Sequence, residues 1–359
     1  MEPVEAIVLV GGQGTRLRPM TISTPKPLLP AAGVPFLAHQ LARAAACGVV
    51  RAVLATSYRA DMFEATLGDG TSLGLELDYV MEDSPLGTGG GIRNAASRLT
   101  GGPDDPVLVL NGDVLSGHDI TAQLDLHRAA DAAVTLHLVE VDDPSSFGCV
   151  PTDSADRVTA FLEKTPAPVT NRINAGCYVF KRRAIDRIPA GRVVSVERET
   201  FPGLIAAGQL VLGCTDTAYW LDVGTPEAFV RASCDLVLGR VSSPAMPGPC
   251  GDALVLPGSA VDPAADLSGG TVIGAGSLVA PGARVHGSVL FEEVTVAPGA
   301  SVERCILGRG VRIAEGTVLD GAFIGGGVMI GAGNELRHGI RIWPQAQLGP
   351  GTVRFSADA

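Results

Sequence analysis

The sequence predicts an α/β domain with a mostly parallel sheet over residues 1–236, followed by a parallel β-helix over residues 253–359. Three observations predict it. Short continuous apolar runs alternate with helix-length stretches in the first part, a 17-residue period repeats in the last, and an aperiodic stretch rich in Pro, Gly and Ser, residues 237–252, separates them as a linker.

In the first part, "AIVLV" (6–10), "AVLAT" (52–56), "PVLVLNGD" (106–113) and "AVTLHLV" (133–139) are apolar without alternation, the mark of strands covered on both faces. Between them "PFLAHQLARAAACG" (35–48) and "ITAQLDLHRAAD" (120–131) read as helices, and strands alternating with helices imply a parallel sheet. In the last part, four successive 17-residue units from Ile273 superimpose Gly282, Gly299, Gly316 and Gly333. Aliphatic residues stack as Ile273, Leu290, Leu307 and Ile324; as Val279, Val296, Ile313 and Ile330; and as Val285, Val302, Leu319 and Leu336. Spacings of six, six and five within a unit send one aliphatic inward from each of three flat faces, which is a β-helix of hexapeptide-like repeats. Leu256 is expected to open a looser first coil.

Bulk properties exclude several classes. With 46% hydrophobic and 18% charged residues, the 359-residue chain has the composition of a globular protein. A net charge of -11 repels polyanions, so neither nucleic acid nor an anionic membrane is an expected partner. The opening "MEPVEAIVLVGG" has no basic segment, and its apolar run is too short for a signal or a membrane span, so a cytoplasmic protein is expected. Seven cysteines without a C-x-x-C pair imply neither a zinc site nor a disulfide framework.

Chemistry concentrates where the first strand runs into Gly11, Gly12 and Gly14. Glycines beyond the carboxyl end of a strand let backbone N–H groups approach phosphate oxygens, so a nucleotide is the expected ligand. Leu17 stands where a dinucleotide fingerprint needs its third glycine, and no Gly-Lys-Ser/Thr follows for a Walker A loop. Of 27 basic residues only Lys26, Lys164 and Lys181 are lysines, and the first two fall inside motifs, where a compact ammonium serves a different geometry from a guanidinium fork.

The longer pattern G-x-G-T-R-L-R-P followed by P-K-P-L-L-P resembles the signature of the nucleoside-diphosphate-sugar pyrophosphorylases, the sugar-1-phosphate nucleotidyltransferases. The resemblance extends over nearly the whole chain. It implies a Rossmann-like nucleotidyltransferase domain and a left-handed β-helix. It also implies that Val10, Gly11, Gly12, Gly14 and Thr15 line the nucleotide, that Arg16 and Lys26 contact the triphosphate, and that Arg16 steadies the departing pyrophosphate. "FLEKT" (161–165) resembles the family's Glu-Lys-Pro element, whose lysine, here Lys164, grips the sugar phosphate; Thr165 replaces the proline and leaves the stiffness of that loop open. "NAGCYVF" (174–180) resembles the segment that meets sugar hydroxyls, so Asn174 and Gly176 join Asn111, Gly148 and Glu163 on the sugar side, each glycine having a plain turn as its alternative.

Asp113 and Asp222 match the family's two Mg²⁺-binding carboxylates, with a cap or turn former as the alternative for either. "MEDSPLGTGGGIRNA" (81–95) resembles the loop that cradles base and ribose, which assigns Glu82, Pro85, Leu86, Gly87 and Thr88 to the nucleotide. A carboxylate at Glu82 accepts two hydrogen bonds from guanine; the alternative is that Glu82 and Asp83 are solvated loop charges.

The resemblance therefore implies Mg²⁺-dependent transfer of a nucleotidyl group from a nucleoside triphosphate, GTP first, to a sugar 1-phosphate, mannose 1-phosphate first, with release of pyrophosphate. Alternatives are another base, another acceptor such as glucose 1-phosphate or valienol 1-phosphate, a non-catalytic regulatory relative, or acyl transfer in the β-helix with His286 or His338 as base. The β-helix is otherwise expected to be a platform for homo-oligomers.

Overall fold

The computed structural model describes residues 3–57, 59–82 and 84–354. Packing divides the chain into two units, Met1–Gly12 with Gln40–Trp220, and Gln13–His39 with Leu221–Ala359.

The first unit is built on a nine-stranded sheet whose centre is parallel, in the spatial order Glu76–Met81, Val49–Thr56, Val4–Leu9, Pro106–Asn111. Three of these are expected runs. Glu76–Met81 was not expected, because an edge strand half open to solvent needs no continuous apolar run. Beyond Pro106–Asn111 the sheet turns antiparallel: Arg172–Lys181 pairs with it and with Val134–Glu140, to which Val211–Thr215 adds in parallel. Ile7, Val53, Val109, Leu136 and Phe180 are fully buried at the heart of this core. The expected helices form as Phe36–Ala46 and Ile120–Ala130, the second capped by Asp119, whose carboxylate accepts the Ala122 N–H at 3.0 Å.

The second unit carries three parallel sheets of six, six and five strands, consistent with a left-handed parallel β-helix. The columns form in the expected register, Ile273 on Leu290 on Leu307 on Ile324 in one sheet and likewise in the other two. Gly282, Gly299, Gly316 and Gly333 have φ of 67°, 65°, 63° and 68°, the left-handed region that a Cβ disfavours, which is why this corner repeats glycine. The period lengthens at both ends: Val255 pairs with Ile273 and Ile324 with Ile342, 18 residues apart. Val255 rather than Leu256 therefore opens the column, and Leu256 turns its Cδ1 to within 2.8 Å of where a Cβ on Gly33 would lie.

Residues 237–252, expected as a linker, are folded onto this unit. Val241 is buried, the Gly251 N–H donates to Val237 O at 2.8 Å, and Ser243 Oγ lies 2.7 Å from His39 Nδ1. The Ala32 N–H donates to Ser233 Oγ at 2.8 Å, on the helix Pro226–Val237. The packing units thus cut across the division expected after residue 236. Among the described residues no helix is long and apolar enough to cross a membrane.

Three histidines set a pH dependence. His39, His127 and His137 are buried, and burial holds all three imidazoles below their usual range, His127 at about 4 with Lys181 and Arg128 adding to the effect. The unfolded chain takes up these protons near pH 6.5 and the folded chain only at lower pH, so stability falls as pH falls through that window. From pH 7.5 to pH 5, His127 alone is expected to cost about 2 kcal/mol. Urea midpoints across that range check this, and His127→Gln should flatten the profile; a level wild-type profile contradicts it.

Candidate active site

Because the central strands are parallel, their carboxyl ends share one edge, with Leu9 opposite Ala55 and Asn111, and Thr56 opposite Met81. From that edge leave Val10–Gly12, the loop from Glu82 and the turn at Gly112 and Asp113. Val10 donates its N–H to Ala55 O at 3.1 Å, Ser57 Oγ donates to Gly11 O at 2.6 Å, and nothing lies within 4 Å of a Cβ placed on Gly12. The Gly112 N–H donates to Leu9 O at 2.9 Å, and a Cβ on Gly112 would lie 2.7 Å from both Leu9 O and Val10 Cγ1. Only glycine lets the Asp113 turn sit this close to the start of the glycine loop. Gln40 braces that turn, its Nε2 donating to Asn111 O at 3.0 Å and to Val114 O.

On the base side, Glu82 Oε2 accepts the Leu86 N–H at 3.2 Å. Burial pushes the Glu82 carboxyl above its usual range, and that N–H opposes the shift. Asp83 lies outside the described residues. Pro85 and Leu86 lead into the helix Gly87–Ala95, and Gly87, at φ 72°, passes so close to Val194 that a Cβ would lie 2.6 Å from its carbonyl oxygen. Thr88 Oγ1 donates to Glu197 Oε2 at 2.7 Å and accepts the Val196 N–H at 2.9 Å. Its hydroxyl therefore ties the loop to the turn Val196–Thr200 and is not held open for a nucleotide.

On the sugar side, the strand Arg172–Lys181 bulges between Asn174, opposite Leu138, and Tyr178, opposite Leu136. Gly176 sits in the bulge at φ 76°, where a Cβ would lie 2.9 Å from Asn111 Nδ2. Asn174 Nδ2 donates to the buried Tyr178 hydroxyl at 2.8 Å, Trp220 Nε1 donates to Ala175 O at 2.9 Å, and Asn111 Oδ1 is a buried acceptor without a hydrogen-bond partner. Gly148 pairs with Glu163, and a Cβ there would lie 2.7 Å from Phe161 and 2.9 Å from Glu163 Oε2. Neither Gly148 nor Gly176 is a plain turn. Burial raises the Glu163 carboxyl, Glu197 adds to the shift, and Lys164 and Arg198 oppose it. Lys164, at φ 48°, extends an exposed ammonium 3.7 Å from Glu163 Oε1. Thr165 Oγ1 accepts the Ala167 N–H at 3.3 Å, a local turn where the family's proline would stand.

The second unit holds the rest. Gly14, at φ 59°, accepts from Thr21 Oγ1 at 2.7 Å and from the Leu17 N–H at 3.0 Å, and a Cβ on it would lie 3.1 Å from Lys26 Cβ. Lys26 is buried in the turn Lys26–Leu28, and Arg16 lies in the turn Thr15–Leu17. Arg16 and Asp222 converge at Gly224, where a Cβ would lie 2.8 Å from Arg16 Nη2 and 3.1 Å from Asp222 Oδ2. Asp222 in this unit and Asp113 in the first each offer hard carboxylate oxygens, at the end of a strand or in the turn just after one, a donor type that suits a divalent metal ion.

Residues 5–237 match the family model described as nucleotidyl transferase, and residues 250–348 match that of the GMPPB C-terminal domain. The chain belongs to the nucleotidyl transferase family. This nucleotidyltransferase is 58% identical over 356 residues to a mannose-1-phosphate guanylyltransferase of Mycobacterium tuberculosis, covering 99% of this chain and 98% of that one. It is 38% identical to the mannose-1-phosphate guanylyltransferase catalytic subunit beta of Drosophila pseudoobscura pseudoobscura, covering 70% and 69%. Among solved structures it is similar to HddC from Yersinia pseudotuberculosis complexed with GMP-PN, with a TM-score of 0.54, 28% identity, and coverage of 64% of this chain and 98% of that one.

Sequence reading of the nucleotidyltransferase missed Gln40, Tyr178 and Glu197, which hold site residues from elements that carry no motif of their own or, for Tyr178, from within one. It also missed a cluster in which ligating atoms of His118, His137 and Asp216 lie within 4.8 Å of one another. Gln123 Nε2 donates to Thr135 O at 3.0 Å, so its Oε1 accepts a hydrogen bond from the His118 Nε2–H at 2.9 Å, while His137 Nε2 bonds Asp216 Oδ1 at 3.1 Å. His118 Nδ1 also bonds Asp216 Oδ2, so hydrogen bonds hold the three groups to one another, and His137 Nδ1 is buried without a hydrogen-bond partner. In the β-helix, His286 Nδ1 bonds Ser268 Oγ at 3.1 Å, and His338 occupies a corner at φ 56° in a different register.

Proposed function

We propose that this nucleotidyltransferase moves a guanylyl group from GTP to mannose 1-phosphate, with Mg²⁺, and works in the cytoplasm as a homo-oligomer formed through its β-helix. The observation that carries the substrate reading is the shared sheet edge from which the open Gly12 backbone, the Glu82 loop and the Asp113 turn all leave, on a chain similar end to end to a guanylyltransferase. All seven cysteines are free, which supports a reducing compartment.

Backbone N–H groups of the glycine loop, with Thr15 and Lys26, receive the triphosphate, and Glu82 accepts hydrogen bonds from guanine. Lys164 holds the sugar phosphate. Asn111, Asn174 and Gly176 meet sugar hydroxyls, the role that the family resemblance gives them. A phosphate oxygen of the sugar phosphate attacks the α-phosphorus in line, the bond to the β-phosphate oxygen breaks, and pyrophosphate leaves with its charge met by Arg16. Asp113 and Asp222 would hold the Mg²⁺, which supplies positive charge against phosphate oxygens when bound. Positioning and charge neutralisation carry the catalysis, without a covalent enzyme intermediate.

Pyrophosphate release from each triphosphate paired with each phosphosugar tests this. GTP with mannose 1-phosphate should give the highest kcat/KM, and no release from any pair overturns the reading. Glu82→Gln is expected to narrow the preference for GTP over other triphosphates, because an amide presents one acceptor where a carboxylate presents two. Unchanged selectivity would leave Glu82 with its bond to the Leu86 N–H as its whole role.

A further inference from the structure

The β-helix reaches into the signature loop. Arg341, on the strand Arg341–Ile342 of the incomplete last coil, donates from Nη1 to Arg16 O at 2.8 Å and to Arg18 O at 3.0 Å. The loop's own hydrogen bonds use other carbonyls, Leu17 N–H to Gly14 O and Arg18 N–H to Thr15 O. Arg341 thus supplies donors to the two carbonyls flanking the buried Leu17. The guanidinium of Arg16 itself is directed elsewhere, toward Asp222 at Gly224. Further along, backing is thinner: a cavity of about 740 Å³ lies between residues such as Pro19, Ser23 and Leu28 and the coils at Phe291, Arg309 and Gln345.

We propose that Arg341 is a positioning residue for nucleotidyl transfer: by holding the Arg16 and Arg18 carbonyls it sets the direction from which the Arg16 side chain meets the triphosphate. The last coil of the β-helix then takes part in catalysis as well as in stability. The inference rests on the role given to Arg16 above. Charge-assisted N–H···O bonds are roughly twice as strong as neutral ones, and two on one nitrogen restrain both the position and the tilt of the loop. Without them the loop backbone is free to shift, and a displacement of about 1 Å of a group that must meet charge in the transition state costs on the order of 10²-fold in rate.

The test compares full-length wild type with Arg341→Ala and Arg341→Lys. Arg341→Ala is expected to lower kcat/KM for GTP by about 10- to 100-fold. KM for mannose 1-phosphate should change by less than about twofold, since the phosphosugar does not depend on this loop. Amide exchange over residues 14–20 should quicken without a change in melting temperature. Arg341→Lys should restore most of both, because an ammonium can also donate to two carbonyls. Wild-type kcat/KM in Arg341→Ala overturns the proposal, as does an equal loss for both substrates accompanied by a lower melting temperature. Should wild type itself release no pyrophosphate from GTP and mannose 1-phosphate, the functional reading fails, and the exchange comparison still decides whether Arg341 anchors the loop.

Discussion

Asp113→Asn is expected to lower turnover on the order of 10²- to 10³-fold while the protein folds as before. The carboxylate lies in the turn after Pro106–Asn111, at the edge where the glycine loop begins, and the proposed reaction needs its full negative charge to hold a cation against phosphate oxygens. An amide keeps the shape and discards the charge. The turn itself is held by bonds from the Gly112 N–H to Leu9 O and from the Gln40 side-chain amide to Asn111 O, neither of which involves the Asp113 side chain. Pyrophosphate release at saturating GTP and mannose 1-phosphate, with a melting curve on the same sample, checks both halves. Wild-type turnover would remove Asp113 from the site.

Gly112→Ala should show the converse, a loss of stability together with activity. The added Cβ would meet Leu9 O and Val10 Cγ1 at 2.7 Å, and one of these is backbone in the middle of the sheet, so the turn must move. Overpacking of this kind costs about 1–3 kcal/mol. Because Asp113 moves with the turn, activity measured well below the melting temperature should fall further than the lost stability explains. A variant as stable as wild type and fully active would mean that the close approach to Leu9 does not set the Asp113 position.

Much of the candidate site was legible because its parts are local. A glycine needed at positive φ, as at Gly14, marks itself in the chain, and so does a carboxylate just beyond a buried strand, as at Asp113. Roles within a motif were less legible. Thr88 lies in the loop that the resemblance assigns to the nucleotide, yet its hydroxyl bonds Glu197, 109 residues away, and no local feature distinguishes a threonine facing a ligand from one facing a neighbouring turn. Gly148 and Gly176 looked equally suited to turns; the pairing with Glu163 and the bulge beside Asn111 depend on strands remote in sequence. Residues 237–252 are marked by composition as irregular, but composition cannot say that Ser243 bonds His39 or that the Gly251 N–H closes back on Val237 O.

The sequence by itself determined the succession of an α/β domain and a β-helix, the register of the three aliphatic columns, and the residue types gathered at the strand ends. Each follows from burial and backbone sterics over a few neighbouring residues. Tertiary structure alone decided that Gln40 braces the Asp113 turn, that Asn111 keeps an unmet acceptor, and that Arg341 holds a loop 325 residues before it. Those contacts come from how separate strands and coils come to rest on one another, and a directional bond between distant groups leaves no periodicity or composition in the chain to announce it.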